Sequence, residues 1–578
     1  MKYKELYEEW LTNSYFDEGT KEELKAIADN EKEIEERFYM DLEFGTAGLR
    51  GILGAGTNRM NIYVVRKATQ GLANYIINQG AQSKGVAIAY DSRIMSPEFA
   101  DEAARVLAAN GIKAYKFESL RPTPELSFAV RYLGCTAGIN VTASHNPSNY
   151  NGYKVYWADG AQITPPHDKG IMDEVKAITD LSTVKTMSTE DAMATGLYTV
   201  IGAEVDDAYI AELKKQIKNQ SVIYEMGKDI KIVYTPLHGT GNIPARRILK
   251  EIGFENVYVV KEQELPDGNF PTVPYPNPES KKAFELALKL GEEKDADLIL
   301  ATDPDADRLG VYVKDSQTGE YHELTGNMSG SLLAEYELSQ LKESGNFPED
   351  GAVIRSIVTT TMSDAIAEYY GARPIEVLTG FKYIGEQILK FEKEGKGTYL
   401  FGFEESYGCL IGTYARDKDA IVATMALCEA AAYYKKKGMT LWDAMIAMYD
   451  RYGYYKEGVQ SIELQGKEGI EKIQNTLTKL RSNAPTAFGD NKVVLAKDYK
   501  EGVIKNLVTG EESATTLPSS NVLYYVLEGG AWVCVRPSGT EPKLKFYYGV
   551  KSDSLAGAEE ASASLGEKVV ALVKEMMQ

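Results

Sequence analysis

Asp303, Asp305 and Asp307 alternate through the segment Asp303-Pro304-Asp305-Ala306-Asp307-Arg308. On an extended segment, side chains at i, i+2 and i+4 leave the backbone on one side. Carboxylates gathered there repel one another, and a cation relieves the repulsion. Oxygen-only ligands favour Mg²⁺, Mn²⁺ or Ca²⁺ over zinc. An EF-hand does not fit: its sixth position wants Gly and holds Arg308, and its twelfth wants Glu and holds Lys314. Three carboxylates also leave an octahedral Mg²⁺ with open positions, as phosphate handling requires. A solvated acidic turn is the plainer alternative. The apolar run DLILAT before the trio and the Arg after it favour the metal.

Ser144 stands in Thr142-Ala143-Ser144-His145-Asn146-Pro147, at the end of an apolar run. A serine at a strand end can be exposed, and nearby backbone N–H groups could hold an oxyanion or a phosphate. An ordinary Ser-Asn-Pro turn is the competing reading. His145 is one of four histidines and more often makes a structural hydrogen bond than a catalyst. No GxSxG elbow supports a Ser-His-Asp hydrolase.

Arg536-Pro537-Ser538-Gly539-Thr540-Glu541-Pro542-Lys543 brings an Arg, two hydroxyls, a Gly and a Lys into one loop. A bidentate Arg suits a phosphate dianion, with a polar hairpin loop as the alternative. In Gly402-Phe403-Glu404-Glu405-Ser406-Tyr407-Gly408, Glu404 and Ser406 share a side, which suits paired sugar hydroxyls. Gly45-Thr46-Ala47-Gly48-Leu49-Arg50-Gly51 can approach a phosphate closely, although no Lys-Ser or Lys-Thr follows to make it a P-loop.

The elements that must position these loops are short apolar strands separated by amphipathic helices. VAIAY precedes Asp91-Ser92-Arg93, KIVYT precedes Pro236-Leu237-His238-Gly239, and TYLFGF precedes Glu404. Strands alternating with helices predict a parallel α/β architecture, whose ligands gather at strand carboxyl ends. A repeat supports this. Gly111 opens a strand, loop, helix and strand that ends at Ser144, 33 residues on, and Gly371 stands in the same relation to Glu404. A longer version runs from Gly253 to Asp303. The last stretch differs: a helical run, strand NVLYYVLE, a Gly529-Gly530 hairpin, AWVCV and LKFYYGV predict a small α+β domain. Domains are expected at 1–205, 206–322, 323–455 and 456–578. The first forty or so residues read as acidic amphipathic helices without chemistry.

The chain has 578 residues and a net charge of −20, with no basic stripe for nucleic acid. The start, MKYKELYEEW, lacks the apolar stretch of a signal peptide, and no apolar run is long enough to span a membrane. Cys135, Cys409, Cys428 and Cys534 lie far apart, which argues against a disulfide framework. A cytoplasmic protein with neither membrane nor nucleic-acid partners is expected. Composition sets no oligomeric state.

Taken together the loops resemble the α-D-phosphohexomutase family: GTAGLRG (45–51), TASHNP (142–147), NGYK (151–154), DPDADR (303–308), GFEES (402–406) and RPSGTEPK (536–543), with TGFKYIG (379–385) and DGNFPTVPYPNPE (267–279). The match runs in order over more than nine-tenths of the chain. The resemblance implies three related α/β domains with mixed or parallel sheets and a C-terminal α+β domain around a central cleft. It implies that Ser144 carries a phosphoryl group. Asp303, Asp305 and Asp307 would bind one Mg²⁺ with an oxygen of the modified Ser144. Arg50 and Arg308 would steady the phosphoserine, and His145, Lys154 and Lys382 would move protons or hold substrate. Glu404 and Ser406 would bind sugar hydroxyls; Arg536, Ser538, Gly539, Thr540 and Lys543 would grip the distal phosphate. Pro304 and Ala306 replace glycines common in the family's metal loop, leaving the carboxylates untouched.

The implied activity is interconversion of glucose 1-phosphate and glucose 6-phosphate by an isomerase of the intramolecular phosphotransferase class. It runs through a bisphosphosugar, with glucose 1,6-bisphosphate as activator. A phosphopentomutase or phosphomannomutase would share the chemistry. A catalytically silent sugar-phosphate-binding regulator would have no use for Ser144 beside an intact aspartate trio.

Overall fold

The computed structural model describes residues 2–43, 48–464, 466–538 and 543–577. The chain divides into two compact units. One holds Met1–Leu324, Gly385–Glu394 and Tyr407–Thr440; the other holds Thr325–Ile384, Gly395–Ser406 and Leu441–Gln578. Among the described residues, no helix is long and apolar enough to cross a membrane. All four cysteines are buried and none is bridged to another.

In the first unit, helices Lys2–Thr12, Glu18–Ala26 and Glu31–Phe38 bury Tyr7, Trp10, Phe16, Leu24, Ile34 and Phe38 against Tyr63. Trp10 stacks on Phe16 at 4.2 Å, and the Tyr63 hydroxyl donates to Asp17 at 2.6 Å. The acidic amphipathic leader is thus an aromatic clasp on the helix Ile62–Asn78.

Behind it lies a six-stranded mixed sheet ordered Gly48–Ile52, Tyr150–Trp157, Ala137–Val141, Val86–Tyr90, Ala114–Phe117, Tyr198–Ile201. The last four run parallel, while Tyr150–Trp157 is antiparallel to both of its neighbours. Val86–Tyr90 and Ala137–Val141 are buried at every position, as strands covered on both faces must be. A second, five-stranded sheet is ordered Tyr321–Leu324, Leu309–Lys314, Leu298–Thr302, Lys231–Thr235, Asn256–Val259.

The repeat read from the glycines is a shared topology. Val86–Tyr90 pairs in parallel with Ala114–Phe117 on one side and Ala137–Val141 on the other. Lys231–Thr235 does the same with Asn256–Val259 and Leu298–Thr302. In the second unit, Gly351–Ser356 does so with Arg373–Val377 and Thr398–Glu404. The glycine opening each repeat terminates the preceding helix at positive φ: Gly111 at 74°, Gly253 at 122° and Gly371 at 87°. Only glycine turns the chain there without strain.

The second unit also holds an antiparallel sheet ordered Tyr454–Glu463, Lys543–Ser552, Trp532–Pro537, Leu523–Leu527, Asn491–Asp498, Val503–Asn506, Glu512–Ala514. Helices Gly466–Ser482 and Leu555–Met577 cover it over a core that includes Leu477, Leu480, Phe546 and Val569. This is the expected α+β domain, and the fold class read from the sequence holds.

Candidate active site and metal centre

The aspartate trio lies in the tight connection between Leu298–Thr302 and the antiparallel strand Leu309–Lys314. It is a turn, not the extended segment expected from the alternation. Ala306 sits at φ 52° and its N–H donates to the Asp303 carbonyl at 2.9 Å. The Asp303 carboxylate accepts the N–H groups of Asp307 at 3.1 Å and Arg308 at 3.0 Å. The carboxylates therefore converge because the loop curls over Asp303.

All three are buried, with ligand oxygens within 4.8 Å of one another. Asp305 Oδ1 and Asp307 Oδ1 have no hydrogen-bond partner. A buried carboxylate oxygen without a donor is costly, and an all-oxygen set of this kind fits a hard divalent cation. Two ammonium groups partly offset the charge. Lys154 Nζ lies 2.7 Å from Asp305 Oδ2, and Lys418 Nζ lies 3.1 Å from Asp307 Oδ2. Burial and the two neighbouring carboxylates push the Asp303 carboxyl well above its ordinary range. Burial acts on Asp305 in the same sense, but Lys154 and the Thr123 hydroxyl overcome it and hold that carboxyl low.

Ser144 follows Ala137–Val141 and adopts φ 54°, a left-handed conformation rare outside glycine. Its N–H donates to Thr142 Oγ1 at 2.9 Å, and its hydroxyl donates to Asp303 Oδ2 at 3.0 Å. His145 Nδ1 is 3.2 Å from the same hydroxyl. Burial, then the nearby Arg308 and Arg50 guanidinium groups, hold His145 well below its usual range, so it is neutral. Arg50 donates to Asn146 Oδ1 at 3.1 Å from the edge strand Gly48–Ile52. Gly152 permits this pairing: a Cβ there would stand 2.4 Å from the Thr142 carbonyl. Arg308 pairs with Glu279 at 2.7 Å. The first unit thus brings together Arg50, Ser144, His145, Lys154, Arg308 and all three aspartates.

Several residues here carry no role in the sequence reading. The Arg93 guanidinium is wholly buried and donates to the carbonyls of Ser144, Asn146, Pro147 and Tyr150. Asp91 accepts from Thr142 Oγ1 at 2.6 Å, Ser96 Oγ at 2.7 Å and the Arg93 N–H at 2.9 Å. Thr123 donates to Asp305 Oδ2 at 2.7 Å. Lys418 also pairs with Asp417, which accepts from the Tyr156 hydroxyl at 2.8 Å. The signal for Arg93 was its place in Asp91-Ser92-Arg93 at a strand end. For Lys418 it was the charged run Arg416-Asp417-Lys418-Asp419 before an almost wholly apolar helix.

The second unit holds Lys382, Glu404, Ser406, Arg536, Ser538 and Lys543. Glu404 ends its strand buried and accepts the Gly380 N–H at 2.8 Å. Lys382 is buried, with its ammonium 5.3 Å from the Tyr383 ring centre. Arg536 lies opposite Lys545 in the hairpin, and the Ser538 N–H donates to the Lys543 carbonyl at 2.8 Å. Gly539 and Thr540 lie outside the described residues, as do Gly45, Thr46 and Ala47.

Four family models match the chain in order. They are phosphoglucomutase/phosphomannomutase alpha/beta/alpha domain I over residues 41–182, domain II over 207–319, domain III over 325–452, and the C-terminal domain over 491–563. A phosphoglucomutase from Staphylococcus saprophyticus is 35% identical over 547 residues, covering 95% of each chain. One from Staphylococcus haemolyticus is 37% identical over 522 residues, covering 90% of this chain and 92% of its own. Among solved structures, the Paramecium phosphoprotein pp63/parafusin, a phosphoglucomutase, superposes with a TM-score of 0.66 at 20% identity, over 93% of this chain and 95% of that one. A phosphoglucomutase/phosphomannomutase family protein from Burkholderia thailandensis gives 0.62 at 20% identity, over 92% and 97%. These two likenesses concern the fold.

Proposed function

The chain belongs to the phosphoglucomutase/phosphomannomutase family of α-D-phosphohexomutases, and on that premise we propose that it interconverts glucose 1-phosphate and glucose 6-phosphate through a phosphorylated Ser144. The observation that carries this reading is the Ser144 hydroxyl held 3.0 Å from Asp303, in a trio that leaves two buried carboxylate oxygens without a hydrogen-bond donor. The glucose assignment leans on relatives of 35–37% identity described as phosphoglucomutases.

In the forward half-reaction the Ser144 Oγ–P bond breaks, a P–O bond forms to the free hydroxyl of the hexose phosphate, that hydroxyl's proton passes to the protein, and the departing Ser144 oxygen takes up a proton from the protein. In the return half, the other phosphoryl group of the bisphosphosugar goes back to Ser144. Asp303, Asp305 and Asp307 would hold Mg²⁺, with an oxygen of the phosphorylated Ser144 as a further ligand. When bound, the ion draws charge from the phosphoryl oxygens. Arg50 and Arg308 offset phosphoserine charge, which is about −1.5 to −2 near neutral pH. His145, Lys154 and Lys382 position substrate or move its proton. Neutral His145, with Nδ1 near the Ser144 oxygen, is suited to accept the Ser144 hydroxyl proton when that oxygen takes a phosphoryl group in the return half. We assign sugar hydroxyls to Glu404 and Ser406, and the distal phosphate to Arg536, Ser538, Gly539, Thr540 and Lys543. Glucose 1,6-bisphosphate would restore a phosphoserine lost to water. Domain limits at 205, 322 and 455 and a cytoplasmic setting accompany this reading.

The test assays the 1-phosphates of glucose, mannose, ribose and N-acetylglucosamine side by side, with Mg²⁺ and a trace of the matching bisphosphate. Fastest turnover of glucose 1-phosphate is expected. Turnover of ribose 1-phosphate alone overturns the sugar, and phosphate release without isomerisation overturns the mutase.

A further inference from the structure

The proposed reaction needs Asp305 to present one carboxylate oxygen to a cation and to go on doing so while the groups around it work. A carboxylate turns easily about its terminal torsion, so its plane must be held. Two donors reach it, and both fall on Oδ2: the Thr123 hydroxyl at 2.7 Å and Lys154 Nζ at 2.7 Å. Oδ1 has no hydrogen-bond donor and is left for the cation.

The two donors are unequal. Lys154 carries its ammonium on a flexible stem, also lies 3.8 Å from Asp307 Oδ2, and is assigned above to substrate or proton transfer. Thr123 has no such freedom. It is wholly buried and opens the helix Thr123–Tyr132 between Pro122 and Pro124. Its N–H donates to the Asp305 carbonyl at 2.9 Å, so backbone and side chain grip the same residue. When Lys154 turns to the substrate, Thr123 is the donor that stays.

Asn140 fixes the direction of the Thr123 hydroxyl. Its Nδ2 lies 2.6 Å from Thr123 Oγ1. A hydroxyl has one proton to give. The Asp305 carboxylate, ion-paired with Lys154, only accepts, so Thr123 gives its proton to Asp305 and accepts one hydrogen bond from Asn140. Asn140 is wholly buried on Ala137–Val141, the strand that runs into Ser144, and stands opposite Lys154 in the register. The strand that delivers Ser144 thus also governs how Asp305 is turned.

We propose that Thr123 is a positioning residue for the metal centre and that Asn140 orients its hydroxyl: the pair locks Asp305 Oδ2 and thereby keeps Oδ1 aimed at the cation. This rests on the reading of Asp303, Asp305 and Asp307 as metal ligands. Thr240 supplies the control. It is also buried against the metal loop, but its hydroxyl donates to a backbone oxygen, the Pro304 carbonyl, at 3.0 Å.

The test measures, on the full chain and without turnover, the Mg²⁺ concentration giving half-maximal thermal stabilisation. Hydrogen-bond partners of metal ligands typically contribute ten- to a hundredfold in affinity, so Thr123→Val, which keeps the shape and the N–H, should raise that midpoint about tenfold. Thr123→Ser restores the hydroxyl and should stay within about twofold of the wild type. Asn140→Ala should raise the midpoint by a smaller factor. Added to Thr123→Val it should raise it no further, because the hydroxyl it orients is gone. Thr240→Val should melt earlier than the wild type but leave the midpoint within about twofold. An unmoved midpoint in Thr123→Val overturns the positioning role. So does an equal rise in Thr240→Val, which would mean that loosening the loop is enough. If Thr123→Val does not fold, Asn140→Ala decides alone, and an unmoved midpoint there overturns the proposal. A wild type that Mg²⁺ does not stabilise overturns the metal reading and the role of Thr123 with it, whereas a responsive wild type beside an unmoved Thr123→Val overturns Thr123 alone.

Discussion

Arg93 donates from a terminal nitrogen to the backbone carbonyl of Ser144 at 2.7 Å. The same guanidinium reaches three further carbonyls of the loop and pairs with Asp91 at 3.3 Å. The left-handed Ser144 is thus held from beneath by one planar group. Lys at 93 keeps the charge but offers a single nitrogen, leaving buried carbonyls without donors at about 1–3 kcal/mol each. Arg93→Lys should lower kcat by roughly ten- to a hundredfold while KM stays within about twofold, because substrate contacts are intact and the phosphoryl-bearing oxygen is displaced. Steady-state kinetics decide it: an equal rise in KM with kcat unchanged would show that Arg93 serves substrate binding instead.

Ser144→Ala should abolish turnover and transfer of label from bisphosphosugar to the protein, with circular dichroism unchanged. The backbone gives a second readout. A residue with a Cβ in the left-handed region costs roughly 1–2 kcal/mol and glycine does not. Ser144→Gly should therefore unfold at higher denaturant than Ser144→Ala, and both should be inactive. Normal activity in either variant would sink the covalent step.

Many of the candidate residues were legible because they sit at strand ends, where composition changes abruptly from apolar to polar. Ser144, Asp303 and Glu404 each follow such a run, and the spacing from Gly111 and Gly371 marks where a helix stops and the next unit begins. The geometry of the trio was not legible in the same way. Alternation suggested an extended segment, yet the Asp303 carboxylate captures two N–H groups ahead of it and curls the chain, a local bond that competes with extension. Arg93, Thr123 and Lys418 were missed because each acts on a partner 51 to 182 residues away in the chain. Their own neighbourhoods carry no sign of that partner. The aromatic clasp of Trp10, Phe16 and Tyr63 was hidden for the same reason: its helices look acidic until Tyr63 completes the cluster.

A cation that binds the folded trio stabilises the fold by mass action, about 2.7 kcal/mol at a hundred times its dissociation constant. Mg²⁺ should therefore raise Tm in the wild type. In Asp305→Asn it should do so only at concentrations higher by tenfold or more, because a buried charged ligand is lost. Differential scanning calorimetry across a Mg²⁺ series measures this without any turnover. Equal stabilisation of both proteins would remove Asp305 from the ligand set.

Glu457, on the strand Tyr454–Glu463 opposite Gly549, offers a pH test that needs no turnover. Burial pushes its carboxyl up to about 7, with Thr360, Lys456 and Asn327 only partly opposing the shift. The ordinary value is near 4.3. A carboxyl raised in the folded state favours folding at pH values below the unfolded value, and that contribution fades as pH rises through about 7. At about 1.4 kcal/mol per pKa unit, the loss between pH 5 and 8 is at most about 3 kcal/mol. Glu457→Gln keeps the size and a hydrogen-bonding head but cannot ionise. It should match the wild type at pH 5 and exceed it at pH 8, so the difference between the two urea-unfolding curves should grow across that interval. Parallel stability–pH profiles would mean that Glu457 ionises as readily in the folded chain as in the unfolded one.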